Sequence, residues 1–279
     1  MTCYARLPLL NTYHIEQATP ATLSDIYALH DPADAARRLP ALQKRVAEGK
    51  TSADRFWLLR SERGVEGVVN LTARPEIPLF PRYRADTPAA HVTAFLKHLK
   101  ELVSGQPEQQ LILDSQLVPL NPAPAEAARW VLDDSQAVYE TTLSSLPVRF
   151  DAGAQKVDQA TLDSPALRRL LSELGRGGWE LQPDWTLVML TSDAGEPVAL
   201  GAAGPSGRPG YAGIDLIGVH PNYRRQGYGT RLHAHLLTLA AEEFEMHGGG
   251  TPGENHAMRR IFDRNGSRQL SDQLYFRQA

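Results

Sequence analysis

The chain has 279 residues, 42% of them apolar and 22% charged, with a formal charge of −3. That length accommodates one large domain or two ordinary ones with a sizeable core, and the near-balanced charge gives no global reason to expect nucleic acid or an anionic membrane as partner. Cys3 is the only cysteine, which excludes an internal disulfide and argues against a Cys-based zinc site; no apolar run approaches the length of a membrane span and the start lacks a signal-peptide layout, so a cytoplasmic protein is expected.

In chain order, Tyr13 to Ala18 reads as a strand, and Leu23 to Leu29 and Ala33 to Ala47 as helices, the second interrupted by Pro40. A hairpin is expected from Arg55–Arg60 and Val65–Leu71 across Ser61-Glu62-Arg63-Gly64. A Pro-rich passage precedes a helix over Ala89–Val103, which places Val92, Phe95, Leu96, Leu99 and Leu102 on one side. Leu111–Leu113 reads as a strand, Ala125–Leu132 as a helix and Val138–Leu146 as a closing strand. The second half repeats this plan, with a second hairpin from Trp185–Leu190 and Val198–Ala202. Two tandem copies of one α/β fold are therefore expected, 1–150 and 151–279, joined near FDAGAQKVDQA. A single larger α/β domain is the alternative.

The informative stretch is Ile217 to Arg231, IGVHPNYRRQGYGTR. An apolar strand (Ile214, Leu216, Ile217, Val219) passes through a Pro-Asn turn and two arginines into a helix marked by Leu232, Leu236, Leu239 and Phe244. A strand feeding a Gly-containing turn and a helix start presents unpaired backbone N–H groups to one point, backed by the helix dipole. That is an anion site suited to phosphate, and Gly227 and Gly229 carry no Cβ to hold the phosphate off. No G-K-[ST] follows, and the three-glycine dinucleotide fingerprint is absent.

The run Arg224-x-x-Gly227-x-Gly229, preceded by Val219-His220-Pro221, resembles the acyl-CoA signature R/Q-x-x-G-x-G/A of the GNAT superfamily of N-acetyltransferases. Asn255 to Gly266 resembles a second signature of that family, N-x-x-A-x-x-L-Y-x-K-x-G-F. Asn255 matches the asparagine that contacts the pantetheine arm, while Phe262 stands where many members carry the tyrosine that protonates the departing thiolate. The resemblance implies tandem GNAT-like domains, each a mixed sheet flanked by helices, with the sheet of the second copy splayed at the acyl-CoA site. The first copy has Phe80 to Pro88 where the glycine loop belongs, so it is expected to be degenerate, a layout similar to the mycothiol synthase type.

By the same resemblance, acetyl-CoA or another acyl-CoA is the co-substrate and no metal takes part. Ile217, Gly218 and Val219 would line the pantetheine. Arg224, Arg225, Gln226, Gly227, Tyr228, Gly229 and Thr230 would hold the pyrophosphate, and Asn255 and Phe262 would complete the site. The Val219 N–H would stabilise the oxyanion. For the base, Asp215 is the candidate: it interrupts an apolar strand, and period-2 alternation would put it on the face of Val219. A partly exposed or salt-bridged aspartate is the competing reading, and Glu254 the second choice. With Phe262 in place of the tyrosine, Tyr275 in the last strand or His220 would serve as acid.

Other patterns are read as incidental. His247-Gly248-Gly249-Gly250 imitates a lipase oxyanion loop without any G-x-S-x-G elbow, and is expected to be a loop or turn. His233 and His235 point to different faces of a helix, which is wrong for a shared metal, and His91 and His98, seven apart on one helical face, lack a third ligand, so those two are expected to face solvent. The function expected is an acyl-CoA-dependent N-acyltransferase acting on a small-molecule amine. The rivals are a non-catalytic acyl-CoA-binding protein and a protein-interaction scaffold.

Overall fold

The computed structural model describes residues 12–72 and 74–279. Cys3 lies outside these residues. The chain divides into two compact units, Met1–Gln136 with Asp272–Ala279, and Ala137–Ser271. The division differs from an expected break between 150 and 151, because the crossing falls within a long strand and the last eight residues return to the first unit.

In the first unit, β1 (Tyr13–Gln17) lies antiparallel to β2 (Phe56–Ser61), with Tyr13 opposite Ser61. Between them runs α1 (Pro32–Ala47), started by Asp31, whose carboxylate accepts from the N–H of Ala33 at 2.9 Å, and by Pro32. β2 forms a hairpin with β3 (Gly64–Asn70), and β3 pairs with the two-residue β4 (Arg82–Tyr83). The α2 helix (Ala89–Leu102) buries Val92, Phe95, Leu96 and Leu99 against Leu59, Val69 and Leu111. β5 (Leu111–Asp114) is buried throughout. The next helix, α3 (Ala123–Ala127), stops short of the expected Leu132. Arg129 takes a left-handed φ of 68°, and the chain enters β6 (Trp130–Thr142) at once. The polar run Asp133-Asp134-Ser135-Gln136 hides this strand in the sequence, since such residues carry little strand propensity.

His91 and His98 are not surface residues. His91 Nδ1 lies 2.9 Å from the fully buried Glu66, which also accepts from Ser61 and Arg63. His98 sits edge-on to Trp57, ring centroids 4.6 Å apart. The Glu66 cluster satisfies its buried polar groups, whose desolvation would otherwise cost about 1–3 kcal/mol each, whereas the contact of Trp57 with His98 is one of rings and leaves Trp57 Nε1 and His98 Nε2 without a hydrogen-bond partner among the described residues.

The second unit begins with the end of β6 and continues through β7 (Ala154–Val157), α4 (Gln159–Leu162), α5 (Pro165–Glu173), β8 (Thr186–Thr191), β9 (Pro197–Pro205) and β10 (Tyr211–Val219). It closes with α6 (Tyr228–Ala240), β11 (Met246–Pro252), α7 (His256–Arg264) and the start of β12 (Arg268–Gln278). Strand order across this unit is β12-β6-β11-β10-β9-β8-β7. β7 to β10 are antiparallel neighbours, and β10 and β11 are parallel. One face is covered by α5, whose Leu167, Leu170 and Leu171 pack on Leu187, Met189, Leu200 and Leu216. The other is covered by α6, whose Leu232 and Leu236 pack on Val188, Leu190, Ala199 and Ala203. Gly201 lets α6 approach: a Cβ there would lie 2.6 Å from Leu236 Cδ1.

The glycine run His247 to Gly250 is a strand and not the expected loop. A side chain at Gly249 would come within 3.1 Å of the rings of His247 and Phe262, so the glycine marks close packing across a strand. His233 and His247 are fully buried, and His235 nearly so. Among the described residues, no group of three or more His, Cys, Asp or Glu side chains is arranged to hold a metal ion, and no helix is long and apolar enough to cross a membrane.

Candidate functional site

The site begins with a fault in a strand. β10 runs antiparallel to β9 with Ile214 opposite Ala203 and Leu216 opposite Ala202, so Asp215 is an extra, bulged residue. The bulge resets the alternation of side chains. Before and after it, Ile214, Ile217 and Val219 pack with the α6 face, whereas Leu216 packs with the α5 face. The Asp215 carboxylate accepts from the indole Nε1–H of Trp179 at 2.8 Å, and Trp179 packs with the α5 cluster. The expectation that Asp215 and Val219 share a face therefore fails, because the two-residue period does not survive a bulge.

On its other edge β10 pairs with β11 only at Tyr211–Met246 and Ala212–His247, after which the two strands part. The His220 N–H donates to Val198 O at 2.8 Å. In an antiparallel ladder the backbone groups of alternate residues point to the same neighbour. Ile217 and Val219 consequently turn their amide groups away from β9, toward the gap that β11 has left. The V-shaped opening is lined by backbone that has no partner strand.

At the end of β10 the chain makes a short 3-10 turn, Pro221–Tyr223, capped by His220, whose Nδ1 accepts from the Asn222 N–H at 3.2 Å. His220 Nε2 is held by Glu173 at 2.8 Å, which fixes the ring as a structural cap. Arg225 then adopts φ 63° and Gly227 φ 88°, two left-handed residues in close succession. Gly227 is the N-cap of α6 and has no side chain with which to cap it. By contrast, Asp31, Asp158 and Asn255 accept from first-turn N–H groups of α1, α4 and α7. Between Arg225 and Thr230 no backbone N–H finds an acceptor among the described residues. The result is a concave set of donors at the positive end of a 13-residue helix.

These elements line a cavity of about 1060 Å³. Ile217, Gly218, Val219, Arg224, Arg225, Gly227, Tyr228, Gly229, Thr230 and Asn255 all border it, as expected from the sequence. Gln226 does not; its amide donates to Asn222 O at 3.4 Å. Phe262 does not either: it is buried, stacked on Tyr139 at 4.3 Å between centroids and edge-on to His233 at 5.1 Å. Asp215 and Glu254 are absent from the lining. Tyr275 belongs to the first unit, where its hydroxyl donates to Gln273 at 2.7 Å and burial pushes its pKa up; it does not border the cavity. The sequence reading missed Leu174, Arg176, Tyr223, Arg260 and Arg264, which come from the loop after α5, the 3-10 turn and α7. Of these only the pair Arg260 and Arg264, four apart on a helix, left a signal in the sequence.

The cavity is strongly cationic. Arg176, Arg224, Arg225, Arg260 and Arg264 border it and no carboxylate does. Arg224 Nε donates to Val219 O at 3.2 Å, tying the arginine loop to the end of β10. The adjoining cation Arg231, in the first turn of α6, is neutralised by Asp151 at 2.6 Å, which holds that carboxylate below its usual range. The site combines an amide nest, five guanidinium groups and an open strand edge. It suits a long ligand with a polyanionic end and an amide-bearing arm.

Comparison with known proteins agrees with this arrangement. Residues 159–266 match the model of the acetyltransferase (GNAT) family. No curated protein matches the chain. Among solved structures, a GCN5-related N-acetyltransferase from Sphaerobacter thermophilus is similar, at 14% identity over 95% of each chain and a TM-score of 0.51. A GNAT-family acetyltransferase from Colwellia psychrerythraea is similar at 13% identity, covering 80% of this chain and 85% of that one, with a TM-score of 0.50. At such identities the likeness is one of fold. Residues 159–266 thus match the acetyltransferase (GNAT) family model, and the splayed strand pair and open helix start both lie within that match.

Proposed function

We propose that the second unit transfers an acyl group, acetyl first of all, from acyl-CoA to the amine of a small molecule by direct attack. The observation that carries this reading is the uncapped start of α6 beside the parted edge of β10. The N–H groups of residues 225–230 receive the pyrophosphate, with Arg225, Arg260 and Arg264 supplying charge. The Val219 N–H, open on this edge, takes a carbonyl of the pantetheine arm as an added strand would, while Val219 O already accepts from Arg224 Nε. The amine nitrogen attacks the thioester carbonyl, the N–C bond forms and the C–S bond breaks; the developing oxyanion falls to the Ile217 N–H and not to the Val219 N–H expected from the sequence, because the thioester lies beyond the pantetheine on the same open edge.

Proton transfer follows from the electrostatics of the cavity. The amine attacks in its neutral form, which the cationic wall of the cavity favours over an ammonium ion. The departing thiolate, whose free pKa is about 8.5, takes up the proton lost by the amine. Asp215 acts by anchoring Trp179, not as the base. The first unit is read as a degenerate copy: α2 follows Pro88, with no glycine nest before it.

Calorimetric titration with CoA, followed by thiol release from acetyl-CoA over a panel of amines, tests the reading. Saturable heat and amine-dependent thiol release support it. Saturable heat without release on any amine makes the domain a CoA-binding protein, and no heat at all refutes the phosphate site.

A further inference from the structure

Five arginines border the cavity, and four of them belong to the loop and helix that flank the open start of α6: Arg224, Arg225, Arg260 and Arg264. Arg176 comes from elsewhere. It follows α5 in a turn whose geometry is closely determined. The Arg176 N–H donates to Leu171 O at 2.8 Å after Gly175, which has φ 72°, and the Trp179 N–H donates to Arg176 O at 2.8 Å. Trp179 is fixed at both ends: its carbonyl accepts from Arg168 Nη1 at 3.1 Å, and its indole N–H donates to Asp215 at 2.8 Å. Asp215 is the bulge of β10. The turn that carries Arg176 is therefore pinned at the bulge end of the strand, several residues before the phosphate-binding loop. Leu174 confirms the placement, because it packs directly over Gly218, where an added Cβ would come within 2.7 Å of its Cδ1.

On the reading above, the pyrophosphate lies at residues 225–230 and the pantetheine runs back along Val219 to Ile217. Arg176 then stands at the thioester end, where the acceptor must arrive. Its guanidinium has no carboxylate partner among the described residues. The neighbouring arginines do: Arg168 pairs with Asp163, and Arg169 with Glu173 at 2.9 Å. A planar fork of donors facing a cavity that contains no carboxylate of its own is matched by a carboxylate on the ligand. We propose that Arg176 is a specificity-determining residue and that the acceptor is an amine bearing a carboxylate, bound by a two-pronged contact with this guanidinium. This rests on the acyltransfer reading and deepens it. The Trp179–Asp215 hydrogen bond then positions the arginine.

The experiment measures thiol release from acetyl-CoA over matched acceptors: the twenty amino acids, their amides, and the corresponding decarboxylated amines. CoA affinity is measured separately by calorimetry. Turnover is expected to concentrate on carboxylate-bearing acceptors. Arg176→Ala should raise KM for them tenfold or more while leaving CoA affinity within twofold, and Arg176→Lys should restore only part of the loss, because a point charge cannot make the paired contact. Asp215→Asn should leave the indole contact largely in place, whereas Trp179→Phe should raise the same KM without changing CoA affinity. Preferential turnover of amides or decarboxylated amines overturns the proposal, as does a loss of CoA affinity in Arg176→Ala, which would assign the arginine to the cofactor. Saturable CoA binding with no turnover on any carboxylate-bearing acceptor also overturns it. Absence of CoA binding in the unaltered protein instead refutes the acyltransfer reading beneath it.

Discussion

Gly227→Ala is the sharpest perturbation of the phosphate loop. The residue has φ 88° and ψ −8°, and a Cβ built on it meets nothing within 4 Å. The substitution therefore costs backbone energy and no packing energy, about 1–2 kcal/mol for an L-residue held in the left-handed region. The loop is exposed, so it can relieve that strain by moving residues 224–228 out of register, and doing so disperses the amide nest. At about 1.4 kcal/mol per factor of ten, CoA affinity should fall roughly 5- to 30-fold. Gly229 is the control. A Cβ there would lie 3.0 Å from Ile261 Cδ1, the far end of a flexible side chain, and its backbone is helical. Gly229→Ala should thus weaken CoA less than Gly227→Ala, with a slight gain in helix propensity offsetting the contact. The assay is calorimetric titration of both variants with CoA, with thermal unfolding in parallel. Unchanged affinity in Gly227→Ala, with an unchanged melting temperature, would refute the role given to this loop.

Three other outcomes are expected. Arg225→Gly removes a guanidinium from the cavity and relieves a left-handed φ of 63°, so CoA affinity should drop several-fold while the melting temperature holds or rises; a parallel fall in both would contradict the charge role. Phe262→Tyr places a hydroxyl in a buried stack on Tyr139, beside Gly249, and should destabilise the domain by about 1–3 kcal/mol without raising kcat; a tenfold gain in kcat would show that this position does reach the thiol. Burial pushes the pKa of His233 down to about 3 and that of His247 to about 4. Both histidines stay neutral in the folded state and take up protons on unfolding below pH ~6.5, so stability should fall as pH drops from there toward 4. The slope approaches about 1.4 kcal/mol per pH unit for each histidine. Urea titrations between pH 7.5 and 5 measure it, and His247→Gln should make the dependence shallower. A flat profile would contradict the burial of the two rings.

The residues that specify local structure are legible in the chain itself. The helical stripe of Leu232 and Leu236, the Pro221 turn and the glycine spacing at 227 and 229 identify strand, loop and helix start. Each is set by neighbours a few positions away, through backbone sterics and hydrogen bonding. The hairpin of β2 and β3 and the apolar side of α2 are read in the same way. Tertiary structure alone decided the remainder. Asp215 turns to Trp179 because the pairing of β10 with β9 contains a bulge, which depends on the register of two strands. Phe262 is withdrawn from the cavity because Tyr139, more than a hundred residues earlier, offers its ring a stacking surface. Tyr275 looks available in the sequence, but its part of β12 folds into the first unit. Arg176 acquires meaning only when the loop after α5 is tied to the bulge. Sequence spacing encodes which backbone groups are left open. Which side chains surround them depends on packing between elements distant in the chain, where burial and pairing outweigh local propensity.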